Sequence, residues 1–344
     1  MPQQHGYDKG KAPRGMQSFE GSAFGSLDAF RLTAREVPEP SGGQVRIRVQ
    51  ATALGFVDGL LVQGRYQITP RLPYVPGGEI AGLVDAVGPD ISSLSVGARV
   101  VTWQLGGGLS EYVVVAADQV EPIPPALDFI AAASMLVDYQ TAHYALFERG
   151  QVRCGETILI AGATGGVGSA AVQLAAKAGA HVLAVASTAE KRERALMLGA
   201  QAAINAGSED IRAEIRNAAP KGVVDVVVDP VGGPTFEALF RSLAKEGRHL
   251  VIGFAGGSIP ALPANLPLLK SAALVGVDIR HFLAARPGEA RAARTTLFQR
   301  VANRLLAAPQ VVTFALEQAD EAIAATLRRD KPGKVVVTQD TSAG

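Results

Sequence analysis

The stretch ETILIAGATGGVGSAAVQLAAKAGA, from Glu156 to Ala180, constrains the fold more than any other part of the chain. The apolar run from Ile158 to Ala161 is typical of a strand buried on both faces, and a glycine cluster follows it at once. From Val167 onward, small and apolar residues recur with polar residues at helical spacing until Gly179, which predicts a packed helix with a glycine stop. A strand, a glycine turn and a helix in this order make the first half of a βαβ unit of the kind that binds dinucleotides.

The glycine cluster predicts a site for a pyrophosphate. Glycines let the backbone approach the phosphates closely, and the amides at a helix N-terminus carry roughly half a positive charge. The match to the G-x-G-x-x-G pattern is imperfect, because Ala163 stands at the first glycine and is followed by Gly165 and Gly168. A turn that only packs a helix on a sheet is the alternative interpretation, which the flanking pattern of strands and helices disfavours.

Composition limits the class of protein. The 344 residues suggest two domains, and 48% hydrophobic residues suffice for two cores. The formal net charge is +1, so we expect a small molecule as partner, and neither a nucleic acid nor a membrane. No run approaches the roughly 18 apolar residues of a membrane span, and the N-terminus lacks the apolar core of a signal peptide, so we expect a cytoplasmic protein. Cys154 is the single cysteine and the histidines lack metal-ligand spacing, so we expect no metal site.

The order of elements predicts an α/β protein of two domains. Residues 1–15 are polar and aperiodic and are expected to be a disordered extension. Up to about residue 130 the chain has short β-rich runs, beginning with VRIRVQATA, in which apolar and polar residues alternate. Beyond Glu156, strands and helices alternate in a rhythm that predicts a doubly wound parallel sheet. The last of these strands, Ala273 to Ile279, is expected to form an apolar edge of that sheet.

The residue after the second strand of such a sheet contacts the adenosine ribose, and an acid there is typical of a site for NAD. This chain has Ser187 there, followed by Lys191 and Arg192. A small polar residue and two cations favour a 2′-phosphate and therefore NADPH, whereas a solvated helix face with chance charges is the alternative. The nearest acid, Glu190, has the spacing of a capping box with Ser187 and is interpreted as a helix-start residue.

Several other stretches share a pattern with a known family. They are GQVRIRVQATALGFVD, GRYQ, PGGEIAGLVDAVG, GGLSEYVVVAADQV, TAHYAL, STAEKRERALMLGA, VDVVVDPVGG and GKVVV. Together with the glycine stretch they resemble the zinc-free NADPH:quinone oxidoreductases, the zeta-crystallin-like branch of the medium-chain dehydrogenase/reductase superfamily. The resemblance implies a GroES-like β-rich catalytic domain at residues 16–139 and 280–344 and a Rossmann NADPH-binding domain at residues 140–279, with the active site between them.

The resemblance also implies roles for individual residues. It assigns the pyrophosphate to the backbone of Ala163, Thr164, Gly165, Gly166, Val167 and Gly168, and the 2′-phosphate to Ser187 with Lys191. The further contacts that it implies are Thr141 to the nicotinamide ribose, Val231 to the adenine side, Gly253 and Phe254 to the nicotinamide edge, and Arg329 to the phosphates. It also implies a homodimer in which two subunits pair at the edge strand.

Departures from the family pattern bear on the chemistry. Gly55 stands where an asparagine is common, and Leu60 and Ala206 each replace a frequent tyrosine. Where the zinc-dependent relatives have Gly-His-Glu, this chain has Gly-Gly-Glu, with Gly78 at the position of the histidine. Tyr66 matches the family and is left as the main polar side chain toward the acceptor, either as a catalytic phenol or as a wall of the pocket.

The missing zinc ligand decides the expected reaction. Without a metal to stabilise an alkoxide, reduction of an unconjugated ketone is disfavoured, whereas quinones and enones spread the incoming charge themselves. We therefore expect hydride transfer from NADPH to a quinone or another conjugated carbonyl acceptor. An enone or 2-enoyl thioester reductase is the alternative among enzymes. A non-catalytic crystallin-like or RNA-binding protein is the alternative from another class.

Overall fold

The computed structural model describes residues 15–328 and 331–339, and the predicted N-terminal extension lies outside them except for Gly15. The described chain forms two compact units. Residues 15–122, 313–327 and 337–339 make the first unit, and residues 123–312, 328 and 331–336 make the second. The predicted boundaries differ, because they put residues 123–139, 280–312, 328 and 331–336 into the first domain.

Fifteen strands and eleven α-helices lie within the described residues. The strands are β1 (Met16–Gly21), β2 (Phe30–Arg35), β3 (Gln44–Leu54), β4 (Glu79–Val87), β5 (Arg99–Trp103), β6 (Tyr112–Ala116), β7 (Val120–Pro122), β8 (Thr157–Ala161), β9 (His181–Ala186), β10 (Ala202–Asn205), β11 (Val224–Asp229), β12 (Leu243–Val251), β13 (Ala273–Gly276), β14 (Val311–Ala315) and β15 (Lys334–Thr338). The helices are α1 (Phe56–Val62), α2 (Phe129–Met135), α3 (Asp138–His143), α4 (Gly166–Lys177), α5 (Ala189–Met197), α6 (Ile211–Ala218), α7 (Phe236–Arg241), α8 (Asn265–Lys270), α9 (Ile279–Ala285), α10 (Pro287–Ala302) and α11 (Ala319–Thr326).

The second unit is built on a six-stranded sheet in the order β10-β9-β8-β11-β12-β13, in which neighbouring strands are parallel. The residues of β8 are buried throughout, as the continuous apolar run predicts. The chain runs outward from β8 to β10 and then returns to β11 on the other side of β8. This reversal confirms the predicted doubly wound sheet and puts a topological switch point between β8 and β11.

Buried polar contacts explain why the segments around residues 123–139 and 280–312 belong to the second unit. Tyr139 of α3 is fully buried, accepts a hydrogen bond from the Gln173 amide of α4 at 3.1 Å and donates one to the carbonyl of Ala307. The neighbouring Gln140 donates to the carbonyl of Ala290 in α10 at 2.7 Å. A side-chain network therefore fixes both segments to α4, and such contacts between distant residues cannot be inferred from local sequence pattern.

The first unit contains an antiparallel sheet, as the alternating runs predict. Strand β3 pairs with β4 and β6, β4 pairs with β5, and β5 pairs with β7. The sheet continues from β3 to β15 and β14, and β1 and β2 form a separate antiparallel pair. On β3, Val45, Ile47 and Val49 are buried in an apolar cluster, as expected from their alternation. The fold class is the predicted one.

Two predicted elements end elsewhere. The sequence pattern predicts one helix from Pro234 to Glu246, but α7 stops at Arg241, because Leu243 already pairs with Val224 at the start of β12. The predicted edge strand Ala273–Ile279 is at the edge but is only four residues long, because Asp278 caps α9 and accepts a hydrogen bond from the amide of Arg280. Among the helices of the described residues, none combines the length and hydropathy that a membrane crossing requires.

Candidate functional site

The glycine loop between β8 and α4 is shaped by two close backbone approaches. Gly162 has a φ of +57°, which favours glycine, and the Cβ of any larger residue at Gly168 would overlap the carbonyl oxygen of Gly162. Helix α4 therefore packs directly on the loop. A Cβ at Gly165 would meet only the Gly162 oxygen, at 3.3 Å, so the space beside Gly165 is open. These are the roles that glycines have in a loop that receives phosphates.

Hydrogen bonds inside the loop decide which amides remain for a ligand. The amide of Ala163 donates to the carbonyl of Val185 at 3.1 Å, and that of Gly165 donates to Gly162 at 2.9 Å. The amides of Gly166, Val167 and Gly168 occupy the first turn of α4, where no acceptor exists within the helix. The backbone amides at the start of α4, and not the amide of Ala163, can therefore donate hydrogen bonds to a ligand.

Four strands end at the same edge of the sheet, and most of the predicted cofactor residues follow them directly. The glycine loop follows β8, Ser187 follows β9, Val231 follows β11, and Gly253 and Phe254 follow β12. Because β9, β8, β11 and β12 are neighbours in a parallel sheet, these residues share its carboxyl edge. Ligands of doubly wound sheets bind at this edge, at the switch point.

The turn after β11 packs against the glycine loop. A Cβ at Gly162 would lie 2.8 Å from the Val231 side chain, so the two turns are in contact. The turn after β12 continues the row, because the amide of Gly256 donates to the carbonyl of Val231 at 2.8 Å and Phe254 lies against Gly232. Three turns predicted to meet one dinucleotide thus form one continuous surface.

The N-terminus of α5 carries the residues predicted to read the adenosine ribose. Ser187 is exposed, Lys191 and Arg192 are half-buried, and the Arg192 guanidinium donates to the carbonyl of Ser187 at 3.4 Å. The N-cap is Thr188, whose hydroxyl accepts from the amide of Lys191, so the predicted capping box with Ser187 was wrong by one residue. A hydrogen bond to the Thr188 side chain lowers the pKa of Glu190, which is therefore a helix-start residue as interpreted.

Thr141 lies in α3 and is buried in the second unit, where α3 packs against α4. Arg329, predicted to meet the phosphates, lies outside the described residues.

Sequence reasoning missed Asp138, the first residue of α3, whose carboxylate lies against Gly166 and forms an ion pair with Lys334 at 2.9 Å. No local pattern signals this pair, since its residues are 196 positions apart.

In the first unit, Asp58 organises the segment that departs from the family pattern. Its two carboxylate oxygens accept hydrogen bonds from the amide of Gly55 at 2.7 Å and from that of Gly77 at 3.1 Å. Burial, and to a lesser degree the charge of Asp58, raises the pKa of Tyr74, so this phenol stays neutral. Tyr66 is half-buried in the loop that follows α1.

The position of the missing zinc ligand is closed by the backbone. A Cβ at Gly78 would overlap the carbonyl oxygen of Gln104, so a histidine could not be accommodated there without a shift of the chain. Across residues 15–328 and 331–339, no group of three or more His, Cys, Asp or Glu side chains could hold a metal ion. The described residues therefore present no ligand set of that kind for zinc.

Two family descriptions match the sequence: "Alcohol dehydrogenase GroES-like domain" over residues 41–125 and "Zinc-binding dehydrogenase" over residues 166–294. A curated relative, quinone oxidoreductase-like protein 2 of Rattus norvegicus, is 33% identical over 310 residues, which cover 89% of this chain and 89% of the relative.

Solved structures of the same kind are similar over almost the whole chain. Escherichia coli quinone oxidoreductase complexed with NADPH matches with a TM-score of 0.85 and 26% identity, covering 94% of this chain and 99% of that one. The enoyl reductase CurK matches with a TM-score of 0.84 and 27% identity, also covering 94% of this chain and 99% of the other.

Proposed function

The chain belongs to the medium-chain dehydrogenase/reductase superfamily and is an oxidoreductase of that type, and on this premise we propose that it transfers a hydride from NADPH to a quinone or another conjugated carbonyl acceptor. The observation that carries the proposal is the carboxyl edge of the parallel sheet. There the glycine loop, the turns after β11 and β12 and the start of α5 lie side by side. This edge has the donors and the open backbone that a dinucleotide needs.

We assign the pyrophosphate to the amides of Gly166, Val167 and Gly168, with the turn at Gly165 leaving room for the phosphates. Thr164 belongs to the same turn. Val231 borders the adenine side, and Gly253 with Phe254 and the Thr141 hydroxyl belong to the nicotinamide half. These assignments follow from the strand ends that carry the residues and from the family resemblance.

NADPH is proposed over NADH because of the charges at the start of α5. Ser187, exposed after β9, leaves room for a phosphate, and Lys191 and Arg192 on the first turn can form charge-assisted hydrogen bonds with it. An acidic side chain at Ser187 would instead accept from the 2′-hydroxyl of NAD. The similar Escherichia coli structure contains NADPH, which supports this choice.

NADPH, when bound, supplies two electrons and a proton to the acceptor as a hydride. One further proton completes the reduction of a quinone to a hydroquinone, or of an enone at its C=C bond. We assign to the Tyr66 phenol a hydrogen bond to the oxygen on which negative charge develops, because it can donate without a metal ion. The closed position at Gly78 supports an acceptor that delocalises its own charge.

A second candidate function is reduction of a 2-enoyl thioester. The likeness to the enoyl reductase CurK favours it, since the two chains match over 94% of this one. Both reactions use the same hydride and the same polar contact to a carbonyl oxygen, and they differ in the shape and charge of the acceptor.

We also propose a homodimer that pairs through β13. This strand is at the edge of its sheet, and Leu274 on it is half exposed, as an open apolar edge would be before pairing. The preceding helix α8 adds exposed Leu268 and Leu269 to the same region of the chain. Pairing of two copies of β13 would cover the edge.

Turnover decides between these functions. The purified protein is given NADPH or NADH with a simple quinone, an enone or a 2-enoyl thioester, and oxidation of the cofactor is followed by absorbance. We expect the fastest oxidation with NADPH and quinone, with no loss after prolonged exposure to a metal chelator. Fastest turnover of the thioester would select the alternative enzyme, and no turnover of any acceptor would favour a non-catalytic role. Loss of activity with removal of stoichiometric zinc would contradict metal independence.

A further inference from the structure

The first turn of α4 has an acidic neighbour. The carboxylate of Asp138 lies so close to Gly166 that a Cβ at that position would overlap it. Gly166 is the first residue of α4, and its amide belongs to the group assigned to the pyrophosphate. A negative charge beside these amides lowers their attraction for another anion. The site therefore contains a group that opposes its own proposed ligand.

A lysine from the far end of the sequence compensates this charge. The ammonium of Lys334 lies 2.9 Å from Oδ2 of Asp138, and the two side chains are only 7% and 14% exposed. Lys334 is the first residue of β15. An ion pair this well shielded from water is weakly screened by salt, so both charges act on their surroundings.

The segment before Lys334 connects this pair to α5. The guanidinium of Arg194 donates to the carbonyl of Pro332 at 3.2 Å, which fixes the segment to α5. Burial lowers the pKa of Lys331, Lys334 and Lys191 lower it further, and Asp138 raises it. Lys191 of α5 and Lys331 and Lys334 of the C-terminal segment are therefore close enough to interact electrostatically, and Asp138 lies among them.

We infer that the Asp138–Lys334 ion pair sets the affinity of the glycine loop for dinucleotides, with Asp138 weakening phosphate binding and Lys334 cancelling that effect. The inference rests on the proposed function, since it concerns the same pyrophosphate site. Lys334 acts here as a positioning residue that neutralises a neighbour, and Asp138 needs no contact with the cofactor. Because the pyrophosphate is common to both cofactors, the pair should act on NADPH and NADH alike.

The test measures dissociation constants of both cofactors by calorimetry on the full-length protein at physiological salt, where charges in solvent are screened but a buried pair is not. Removal of one poorly screened charge beside the amides assigned to the pyrophosphate should change affinity by roughly tenfold. We expect Asp138→Asn to tighten NADPH and NADH, Lys334→Met to weaken both, and the double variant to bind nearly as the parent does.

The matched control is Lys177→Met at the opposite end of α4. Lys177 is exposed, and the 12-residue helix spans about 18 Å, so this substitution removes the same charge at a distance beyond the Debye length at physiological salt. We expect unchanged affinity for both cofactors. A comparable loss in Lys177→Met and Lys334→Met would mean that net charge acts, and it would overturn the inference.

Other outcomes also overturn it. Weaker or unchanged binding by Asp138→Asn would show that Asp138 does not oppose the ligand, and this variant decides the matter even if Lys334→Met fails to fold. If Lys334→Met lost affinity for NADPH alone, Lys334 would have to contact the 2′-phosphate, which NADH lacks. If the parent binds neither cofactor, the proposed function fails together with the inference, whereas normal parent binding without opposed effects refutes the inference alone.

Discussion

The Nε2 atom of His249 lies 3.1 Å from Oδ2 of Asp229, and both side chains are buried. The other carboxylate oxygen of Asp229 accepts hydrogen bonds from the amides of Val231 and Gly232, each at 2.8 Å. One carboxylate thus fixes the turn that packs on the glycine loop, and His249 fixes the carboxylate.

These contacts predict that two substitutions of Asp229 lower the free energy of unfolding by different amounts. Asp229→Ala leaves two buried amides and an imidazole without their acceptor, and we expect a loss of about 2–4 kcal/mol in the free energy of unfolding. Asp229→Asn keeps one oxygen for the amides, and His249 can accept from the new amide group as its other tautomer, so the loss should be smaller. Urea denaturation measures both. Equal losses would show that the negative charge of Asp229, which both variants remove, matters more than the hydrogen bonds that Asn retains.

Lys191→Ala should discriminate between the cofactors. A charge-assisted hydrogen bond contributes about 1.5–3 kcal/mol, so NADPH binding should weaken by roughly tenfold to a hundredfold while NADH binding stays nearly unchanged. Lys221→Ala, at an exposed lysine after α6, serves as the control and should alter neither. If Lys191→Ala weakened the binding of NADPH and NADH equally, this lysine would not contact the 2′-phosphate.

Tyr66→Phe tests the assigned phenol, because it keeps the ring and removes only the hydroxyl. A catalytic role predicts a fall in kcat of roughly tenfold or more, with the affinity for NADPH unchanged. Enones should lose more than quinones, since a hydroquinone product can take its proton from water after release. Parent rates with both acceptor classes would make Tyr66 a wall of the pocket.

Acid should weaken the second unit through Glu156. Burial acts to raise the pKa of this carboxyl, but hydrogen bonds from the Arg248 guanidinium, at 2.8 and 3.0 Å, and from the amide of Arg153 leave it lowered. Because folding lowers this pKa, the ionised carboxyl stabilises the protein at pH values above its pKa in the unfolded chain, which is about 4.3. This stabilisation is lost as the pH falls through the pKa of the carboxyl in the folded protein.

Glu156→Gln reports that dependence. We expect the variant to lose about 1–3 kcal/mol in the free energy of unfolding at pH 7, and the difference from the parent should shrink below pH 4 as the parent's carboxyl is protonated. Urea unfolding at several pH values gives the comparison. A difference that stays constant down to pH 3 would mean that the charge of Glu156 contributes nothing.

Leu274→Lys should disrupt the proposed pairing of two β13 edges. A charged side chain on an edge strand opposes strand addition, so we expect a shift from dimer to monomer in light scattering at tens of micromolar protein. Leu305→Lys, at another exposed leucine, is the control and should stay dimeric. A monomeric parent protein would refute the dimer itself.

The sequence predicted those parts of the fold that depend on local pattern. The apolar run of β8 and the glycines after it predict the loop and α4. A strand buried on both faces and a turn without side chains leave few other structures that this segment could adopt. The alternation on β3 likewise predicts a strand with a buried face. Helix α10 was missed, because the buried Arg294 interrupts an otherwise helical series of buried residues at Ala290, Leu297, Phe298 and Val301.

Features that depend on distant contacts could not be predicted. Glu246 lies in a helix-like sequence but adopts a φ of +63° in an irregular stretch of β12, between Leu243 and Arg248, which both pair with β11. The Asp138–Lys334 pair and the Tyr139–Gln173 contact join separate elements, and a single sequence contains no signal for either. Gly78 is evident in the sequence, but the overlap of a Cβ at this position with the carbonyl oxygen of Gln104 depends on how two separate segments pack.

Strand β15 gives the chain a particular order of assembly. It holds residues 334–338 and lies beside β3, which was synthesised almost 300 residues earlier. During translation β3 can pair with β4 along one edge and with β6 along residues 44–48 of the other, but the rest of that second edge stays open until β15 has been synthesised. The same late segment delivers Lys334 to Asp138. The pairing that completes the first sheet and the ion pair that neutralises Asp138 therefore form in the same late step.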